Sequence, residues 1–178
     1  MTTPRNDHSH SDDQVRGWFA GRVPDDWFSG PLEISADRDE IVVMGTIAAP
    51  DLPDDESAEA RSAAIGSRIA GFREDTRARR MKIAAEAEHR FGRKVSWGVI
   101  CADQRATFTT LSVPAMTRLR LAERQVLDTL VDAGVARSRS HALAWCVRLV
   151  AERQDDWLRD LREALTSVEK VRAEGPKD

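Results

Sequence analysis

Two parts of the chain alternate apolar and polar residues, which is the pattern of a β-strand with one buried face. Residues 31–47 alternate on both sides of a polar turn at 36–39, and this predicts a hairpin. Residues 95–113 alternate around a second polar turn at 102–105 and predict two more strands. We expect the four strands to form one antiparallel sheet.

A helical pattern separates the two pairs of strands. It begins at Asp55 or Ser57 and stops at Gly92, although Gly66 and Gly71 are expected to weaken or break its first half. Apolar residues recur along it at 3.6-residue spacing, so one face of the helix should cover the sheet. These residues are Ile65, Ile69, Phe72, Ile83, Ala87 and Phe91.

The C-terminal part of the chain has helical periodicity only. One helix is predicted from Ala115 to Ala133 with Gly134 as its stop, and the next begins at the capping residue Ser138. Between Val135 and Glu174 there is no Gly or Pro, and apolar residues keep a 4-3 spacing over about four heptads. The pattern predicts one long amphipathic helix.

The apolar seam of this long helix has two interpretations. It either packs against its own domain or pairs with a second copy across a two-fold axis as a coiled coil. The residues predicted to form the dimer seam are Val147, Val150, Trp157, Leu161, Ala164 and Val168.

The predicted organisation is therefore α+β with the order ββαββ, followed by helices. Residues 1–14 are polar and predict a disordered tail, and residues 15–112 form the ββαββ antiparallel sheet covered by a helix. A helix pair at 109–153 and a coiled-coil-like extension at 154–173 follow, and 174–178 form a second tail.

Composition limits the class of protein. With 178 residues, 41% of them hydrophobic and 32% charged, the chain has the composition of a globular domain. No apolar run approaches the roughly 18 residues of a membrane span, and the N-terminus lacks the pattern of a signal peptide. We expect a soluble, cytoplasmic protein without membrane partners.

The candidate chemistry does not indicate an enzyme. The two cysteines lie far apart without a second pair, which excludes the recurring zinc spacings, and no glycine-rich phosphate loop follows a strand. His89 and His141 are isolated on predicted helices, and Glu86 and Glu88 diverge on one helix. The sequence predicts a non-catalytic protein with no metal and no cofactor.

The net charge of −3 conceals a basic middle of the chain. Residues 68–148 contain 16 Arg and Lys against 8 Asp and Glu, so this part could attract a polyanion such as nucleic acid. Arg93 and Lys94 are candidate contacts, and the neighbouring Trp97 either stacks on a base or packs in the core. Interspersed acids leave a second interpretation, a solvated helical face with local ion pairs.

Residues 109–150 resemble the ribbon-helix-helix family of bacterial transcription regulators. The matching stretches are LSVP at 111–114, DTLVDAG at 128–134 and ARSRSHAL at 136–143. The resemblance implies a dimer that lays a two-stranded antiparallel ribbon in the DNA major groove. It also implies base contacts from the outward strand residues Phe108, Thr110 and Ser112, and phosphate contacts from Arg137, Ser138, Arg139 and Ser140 at a helix start.

A second resemblance covers most of the chain. Residues 73–99, REDTRARRMKIAAEAEHRFGRKVSWGV, and residues 108–120, FTTLSVPAMTRLR, are similar to a group of uncharacterised actinobacterial proteins. That resemblance implies no activity.

Taken together, the patterns predict a homodimeric regulator that binds nucleic acid, DNA rather than RNA. The alternative is a protein-interaction module whose long helix and acidic ends dock on a partner in a stress or ribosome-associated assembly.

Overall fold

The computed structural model describes residues 12–53 and 55–174. The chain divides into two compact units at Pro114 and Ala115, and each unit is described by itself. Most of the predicted tail at 1–14 lies outside the described residues, but Asp12 already begins a helix, so the prediction of disorder is wrong for its last three residues. Of the tail at 174–178, only Glu174 is described, and it ends a helix.

The first unit contains a four-stranded sheet in the order β1-β2-β3-β4. Its strands are β1 (Glu33–Ala36), β2 (Glu40–Ile47), β3 (Lys94–Cys101) and β4 (Gln104–Thr107). The two hairpins are confirmed, because β1 pairs with β2 and β3 with β4 in antiparallel fashion. The α+β class is also confirmed.

The prediction of a wholly antiparallel sheet is wrong. Strands β2 and β3 pair in parallel, in register from Glu40 opposite Lys94 to Ile47 opposite Cys101, so the sheet is mixed. A helical connection joins the two strands and returns the chain to the end of the sheet at which β2 began. Such a crossover is what parallel pairing requires, whereas a tight turn would give antiparallel pairing.

Three helices belong to the first unit: α1 (Asp12–Arg22), α2 (Ala58–Asp75) and α3 (Arg77–Phe91). The single helix predicted from 55 or 57 is therefore two helices with Thr76 between them. Its start and stop are as expected, since the Ser57 hydroxyl accepts a hydrogen bond from the Ala60 N–H and Gly92 has a left-handed φ of 67°. Helix α1 was not predicted.

The interruption falls at Thr76 and not at the glycines of α2. The Thr76 hydroxyl donates to the Phe72 carbonyl at 2.6 Å and accepts from Arg80 Nε at 2.9 Å. A side chain that bonds the preceding turn in this way competes with the regular helical ladder. Gly66 and Gly71 lie inside α2 with open space around them.

The hydrophobic core of this unit lies between the three helices and the central strands β2 and β3. The residues that are fully enclosed come from α1, α3 and the two strands: Phe19, Ile41, Ile83, Val15, Val43, Val99 and Cys101. Trp97 is 3% exposed and packs edge-on against Phe19 and Trp27, so its core interpretation is confirmed.

The strand predicted to reach Val113 ends at Thr107. Phe108 still donates its N–H to the Trp97 carbonyl at 2.7 Å, but at the next position the Thr109 hydroxyl, rather than the backbone, accepts from the Trp97 N–H. A side chain thus replaces the backbone acceptor that would continue the ladder. Residues 109–120 contain neither helix nor strand.

The second unit consists of α4 (Leu121–Asp132), α5 (Arg139–Arg153) and α6 (Asp155–Glu174). Helix α4 begins six residues later than Ala115, at the point where the Glu123 carboxylate accepts the Arg120 N–H. The stop at Gly134, with φ of 75°, and the cap at Ser138 are as predicted.

The long C-terminal helix is divided at Gln154, whose φ of −124° and ψ of 30° leave the helical region. The prediction of one continuous apolar seam over four heptads is therefore wrong for the single chain. The buried residues of this unit, Leu127, Ala136 and Ala142, form only a small core between α4 and α5. Across the described part of the chain, no helix has the length and apolarity that a bilayer span needs.

Candidate nucleic-acid interface

The candidate residues before Pro114 lie in the first unit. Thr110 and Ser112 are exposed but sit on no strand. Phe108, expected to face outward, is only 9% exposed and packs in the core, so the outward assignment is wrong. The segment is held to the sheet where the Leu111 N–H donates to Glu40 Oε1 at 3.1 Å. A ribbon strand at 109–113 is not present within the chain.

Arg93 and Lys94 lie at the junction of α3 and β3, and both are tied to neighbouring groups. Lys94 Nζ forms an ion pair with Glu88 Oε2 at 2.7 Å. Arg93 Nη1 donates to the Asp37 carbonyl at 3.1 Å. These contacts weaken the interpretation of the two residues as phosphate ligands.

One acid of the basic stretch pairs with an arginine that lies outside it. Glu86 of α3 accepts from Arg22 of α1 in a bidentate contact at 2.6 and 2.8 Å. The hydrogen bond from Arg22 lowers the pKa of Glu86, and the same bond raises the pKa of Arg22. This contact joins two helices, so it does not supply the local ion pairs on one helical face that the second interpretation expects.

The turn between α4 and α5 is built as the sequence predicts. After the left-handed Gly134, the Ser138 hydroxyl accepts the His141 N–H at 3.2 Å and begins α5. The N–H of Arg137 donates to His141 Nδ1 at 3.3 Å, so the His141 side chain also orders the turn. Ser140 is exposed in the first turn of the helix.

The two arginines of this turn differ in their partners. Arg139 donates from Nε and Nη2 to the two carboxylate oxygens of Asp128, each at 2.6 Å. This hydrogen bonding lowers the pKa of Asp128 and raises the pKa of Arg139. Within the described ranges the Arg137 guanidinium meets no carboxylate. Arg137 is therefore available to an anion, and Arg139 is occupied.

Three further exposed arginines between residues 115 and 148 were not identified as candidates by the sequence analysis. Arg118, Arg120 and Arg148 are exposed, and none of them has an acidic partner in the part of the chain that the structure describes. The alternation of Arg118 and Arg120 with the inward Leu119 was a usable signal, but it was hidden by the helix predicted from Ala115. Arg124 Nη1 fixes this extended segment by donating to the Leu119 carbonyl at 2.7 Å.

The predicted dimer seam is left uncovered in the single chain. Val147, Val150, Trp157, Leu161 and Val168 are between 42% and 64% exposed. The small Ala164 of the seam is exposed as well, and so are other apolar residues of the same unit: Leu121, Val126, Leu165 and Val171. The interpretation in which this seam packs on its own domain is therefore not what the structure shows.

Among the described residues, no group of His, Cys, Asp and Glu is arranged to hold a metal ion. Cys101 is buried, and burial raises the pKa of its thiol. The candidate site therefore consists of exposed arginines, which can bind anions, and of uncovered apolar side chains, which can bind an apolar surface.

These features define a two-unit α+β protein, with a mixed-sheet unit followed by a helical unit. The chain belongs to the Rv1265-like family. Its residues 13–107 match the family described as Rv1265-like protein, N-terminal domain, and residues 120–172 match the Mb1296 C-terminal domain.

Two mycobacterial relatives are 54% identical to the chain over 159 residues. They are Uncharacterized protein Rv1265 of Mycobacterium tuberculosis and Uncharacterized protein Mb1296 of Mycobacterium bovis. Each alignment covers 89% of this chain and 69% of the relative. The actinobacterial resemblance is thereby confirmed, and neither family match is to a ribbon-helix-helix module. No solved structure matches the chain.

Proposed function

We propose that the protein is a non-catalytic, cytoplasmic regulator that binds nucleic acid, DNA in preference to RNA, as a homodimer. The observation that carries the proposal is a group of four exposed arginines between residues 118 and 148 that lack acidic partners within the described chain: Arg118, Arg120, Arg137 and Arg148. Each neutralised phosphate releases a counterion, so four such side chains give substantial salt-dependent affinity.

The preference for DNA rests on the ribbon-helix-helix resemblance. The order of α4, the left-handed Gly134, the Ser138 cap and α5 is compatible with that family. In this proposal residues 115–120, with Arg118 and Arg120 alternating with Leu119, take the ribbon position that the resemblance implied for Phe108, Thr110 and Ser112. An arginine fork reads guanine in the major groove better than Thr110 or Ser112 could.

The start of α5 supplies a phosphate contact in the same proposal. Free N–H groups of the first helical turn and the positive end of the helix dipole favour an anion there. Arg137 and Ser140 add a charge and a hydroxyl beside those groups. Arg139 would join them only when a phosphate competes successfully with Asp128.

The dimer follows from the apolar surface of the helical unit. An amphipathic helix such as α6 needs a surface to cover its apolar stripe. A second copy related by a two-fold axis offers the same stripe in return and doubles the set of arginines on one nucleic acid. We propose that the stripe from Val147 to Val168 is that contact.

The alternative function, a protein-interaction module, is favoured by one specific observation. The bidentate pair between Arg139 and Asp128 removes one of the two arginines predicted to meet phosphate. In that case the apolar stripe of α6 would dock on a different protein, for example in a stress or ribosome-associated assembly.

A gel-shift titration with genomic DNA fragments and transcribed RNA, at low and moderate salt, tests the proposal. Replacing Arg118, Arg120 and Arg137 together by Ala should weaken binding at least tenfold. The matched control replaces Arg159, Arg162 and Lys170 of α6 by Ala and should bind as the wild type does. Absence of salt-sensitive binding to either polymer would reject the proposal. A pull-down partner that survives nuclease treatment would then support the alternative.

A further inference from the structure

A buried arginine in the first unit carries a charge that no acid among the described residues neutralises. Arg80 of α3 is only 5% exposed. Its Nε donates to the Thr76 hydroxyl at 2.9 Å, and its Nη2 donates to the Arg73 carbonyl at 2.7 Å. The guanidinium lies 4.6 Å from the centre of the Phe108 ring. All three partners are uncharged.

Two further arginines flank the same point. Arg73 lies in the last turn of α2, with its guanidinium 5.8 Å from the Phe108 ring centre, and Arg77 begins α3. The spacing of four and three residues places Arg73, Arg77 and Arg80 on one side of a nearly continuous helix. Both flanking side chains are exposed, and neither forms an ion pair within residues 12–53 and 55–174.

This arrangement is costly for a protein without a ligand. A guanidinium does not lose its proton, so burial has to be offset by partners and not by neutralisation. Burial, and then the charges of Arg73 and Arg77, lower the pKa of Arg80. The Arg73 carbonyl, at the negative end of α2, and the face of the Phe108 ring compensate part of the charge. The carbonyl and the ring do not explain why two more positive side chains, Arg73 and Arg77, lie beside this buried charge.

We propose that Arg73, Arg77 and Arg80 bind the phosphate group of a small phosphorylated molecule. Arg80 is held rigidly by Thr76 and the Arg73 carbonyl, so one donor group is already in position. Arg73 and Arg77 close on the anion from the exposed side. A single arginine suffices for a carboxylate, whereas three guanidinium groups offer enough N–H donors for the several acceptor oxygens of a phosphate dianion.

The surroundings of the site select against a polynucleotide. Phe108 is 9% exposed and lies beneath the Arg80 guanidinium, so its ring offers no free face on which a base could stack. Recognition therefore rests on the phosphate. The site lies in the sheet unit and is distinct from the arginines of the helical unit, so it stands or falls independently of DNA binding.

Calorimetric titration of the full chain with inorganic phosphate and with pyrophosphate, in a phosphate-free buffer, tests the assignment. The double variant Arg73→Ala and Arg77→Ala should lose at least tenfold in pyrophosphate affinity. The matched control, Lys82→Ala with Arg90→Ala, removes two positive charges from α3 and should stay within twofold of the wild type. Both variants change exposed residues, so both should fold.

The outcomes separate the possibilities. Selective loss of binding in the Arg73 and Arg77 variant, with normal DNA binding by the same variant, supports the site. No binding of either anion to the wild type overturns it, and so does an equal loss in the control, which would indicate diffuse charge attraction. A short single-stranded oligonucleotide that displaces pyrophosphate and binds more tightly would overturn the assignment to a small molecule.

Discussion

At the residue scale, the turn between α4 and α5 shows which features of a site are local. Gly134 as a helix stop and Ser138 as a cap depend on neighbouring residues, and both could be predicted from the sequence. The pair between Arg139 and Asp128 joins positions 11 residues apart and depends on how two helices meet. For that reason the sequence suggested two free arginines where the structure leaves only Arg137.

Replacing Asp128 by Asn tests whether this pair restrains nucleic-acid binding. The change frees Arg139 and removes a negative charge beside it, so DNA affinity measured by fluorescence anisotropy should rise several-fold at low salt. Thermal stability should change little, because both side chains are substantially exposed. Asp132→Asn, an exposed acid on the same helix, is the matched control. Equal affinity in the two variants would contradict a role for Arg139.

Gly98 of β3 is a residue whose small size is required by packing. A Cβ there would lie 2.7 Å from the Ala106 carbonyl oxygen and against the Met44 side chain. Gly98→Ala should therefore lower the free energy of unfolding by about 1–3 kcal/mol in chemical denaturation. Gly66→Ala, in open space within α2, should instead raise it by about 0.5–1 kcal/mol. Similar effects of the two changes would contradict this account.

At the element scale, the two hairpins and the starts of α2 and α5 followed from short-range patterns, whereas the pairing of β2 with β3 and the interruptions of the helices did not. The hairpins β1-β2 and β3-β4 were predictable because each is closed by its own turn. The parallel pairing of β2 with β3 depends on the path of the helices between them. The division at Thr76 depends on its contacts with Phe72 and Arg80, which periodicity does not reveal.

The contact between α1 and α3 predicts how stability depends on pH. Arg22 lowers the folded pKa of Glu86 below its ordinary value of 4.5, so the stabilisation is complete above that pH and is lost as pH falls through the folded pKa. The melting temperature should therefore fall less steeply from about pH 6 to about pH 3 in Glu86→Gln than in the wild type. Glu74→Gln should keep the wild-type slope. Parallel curves for all three proteins would contradict the prediction.

At the scale of the whole molecule, the boundary between the units coincides with a gap between the family matches. The matches end at residue 107 and resume at 120, and the two units divide at Pro114 and Ala115. The apolar periodicity of the C-terminal helices was visible in the sequence, but what covers it was not. Trp157 and Leu161 are exposed in the single chain, and the proposed dimer would cover them.

The proposed dimer predicts a mass of about twice the 19.9 kDa of one chain in light scattering after gel filtration. Leu161→Asp places a charge in the apolar stripe of α6 and should give a monomer with unchanged helix content. Ser167→Asp adds the same charge at an exposed polar position of α6 and should remain dimeric. A monomeric wild type, or a dimer that tolerates the Leu161 change, would contradict the interface.

The salt dependence of DNA binding is the most direct test of the central proposal. The logarithm of the association constant should fall linearly with the logarithm of salt concentration for the wild type. Replacing Arg118, Arg120 and Arg137 by Ala should reduce the magnitude of that slope by roughly one for each arginine that neutralises a phosphate in the wild-type complex. A wild type that shows no salt-dependent binding, or a triple variant with an unchanged slope, would contradict the proposal that the helical unit holds the nucleic acid.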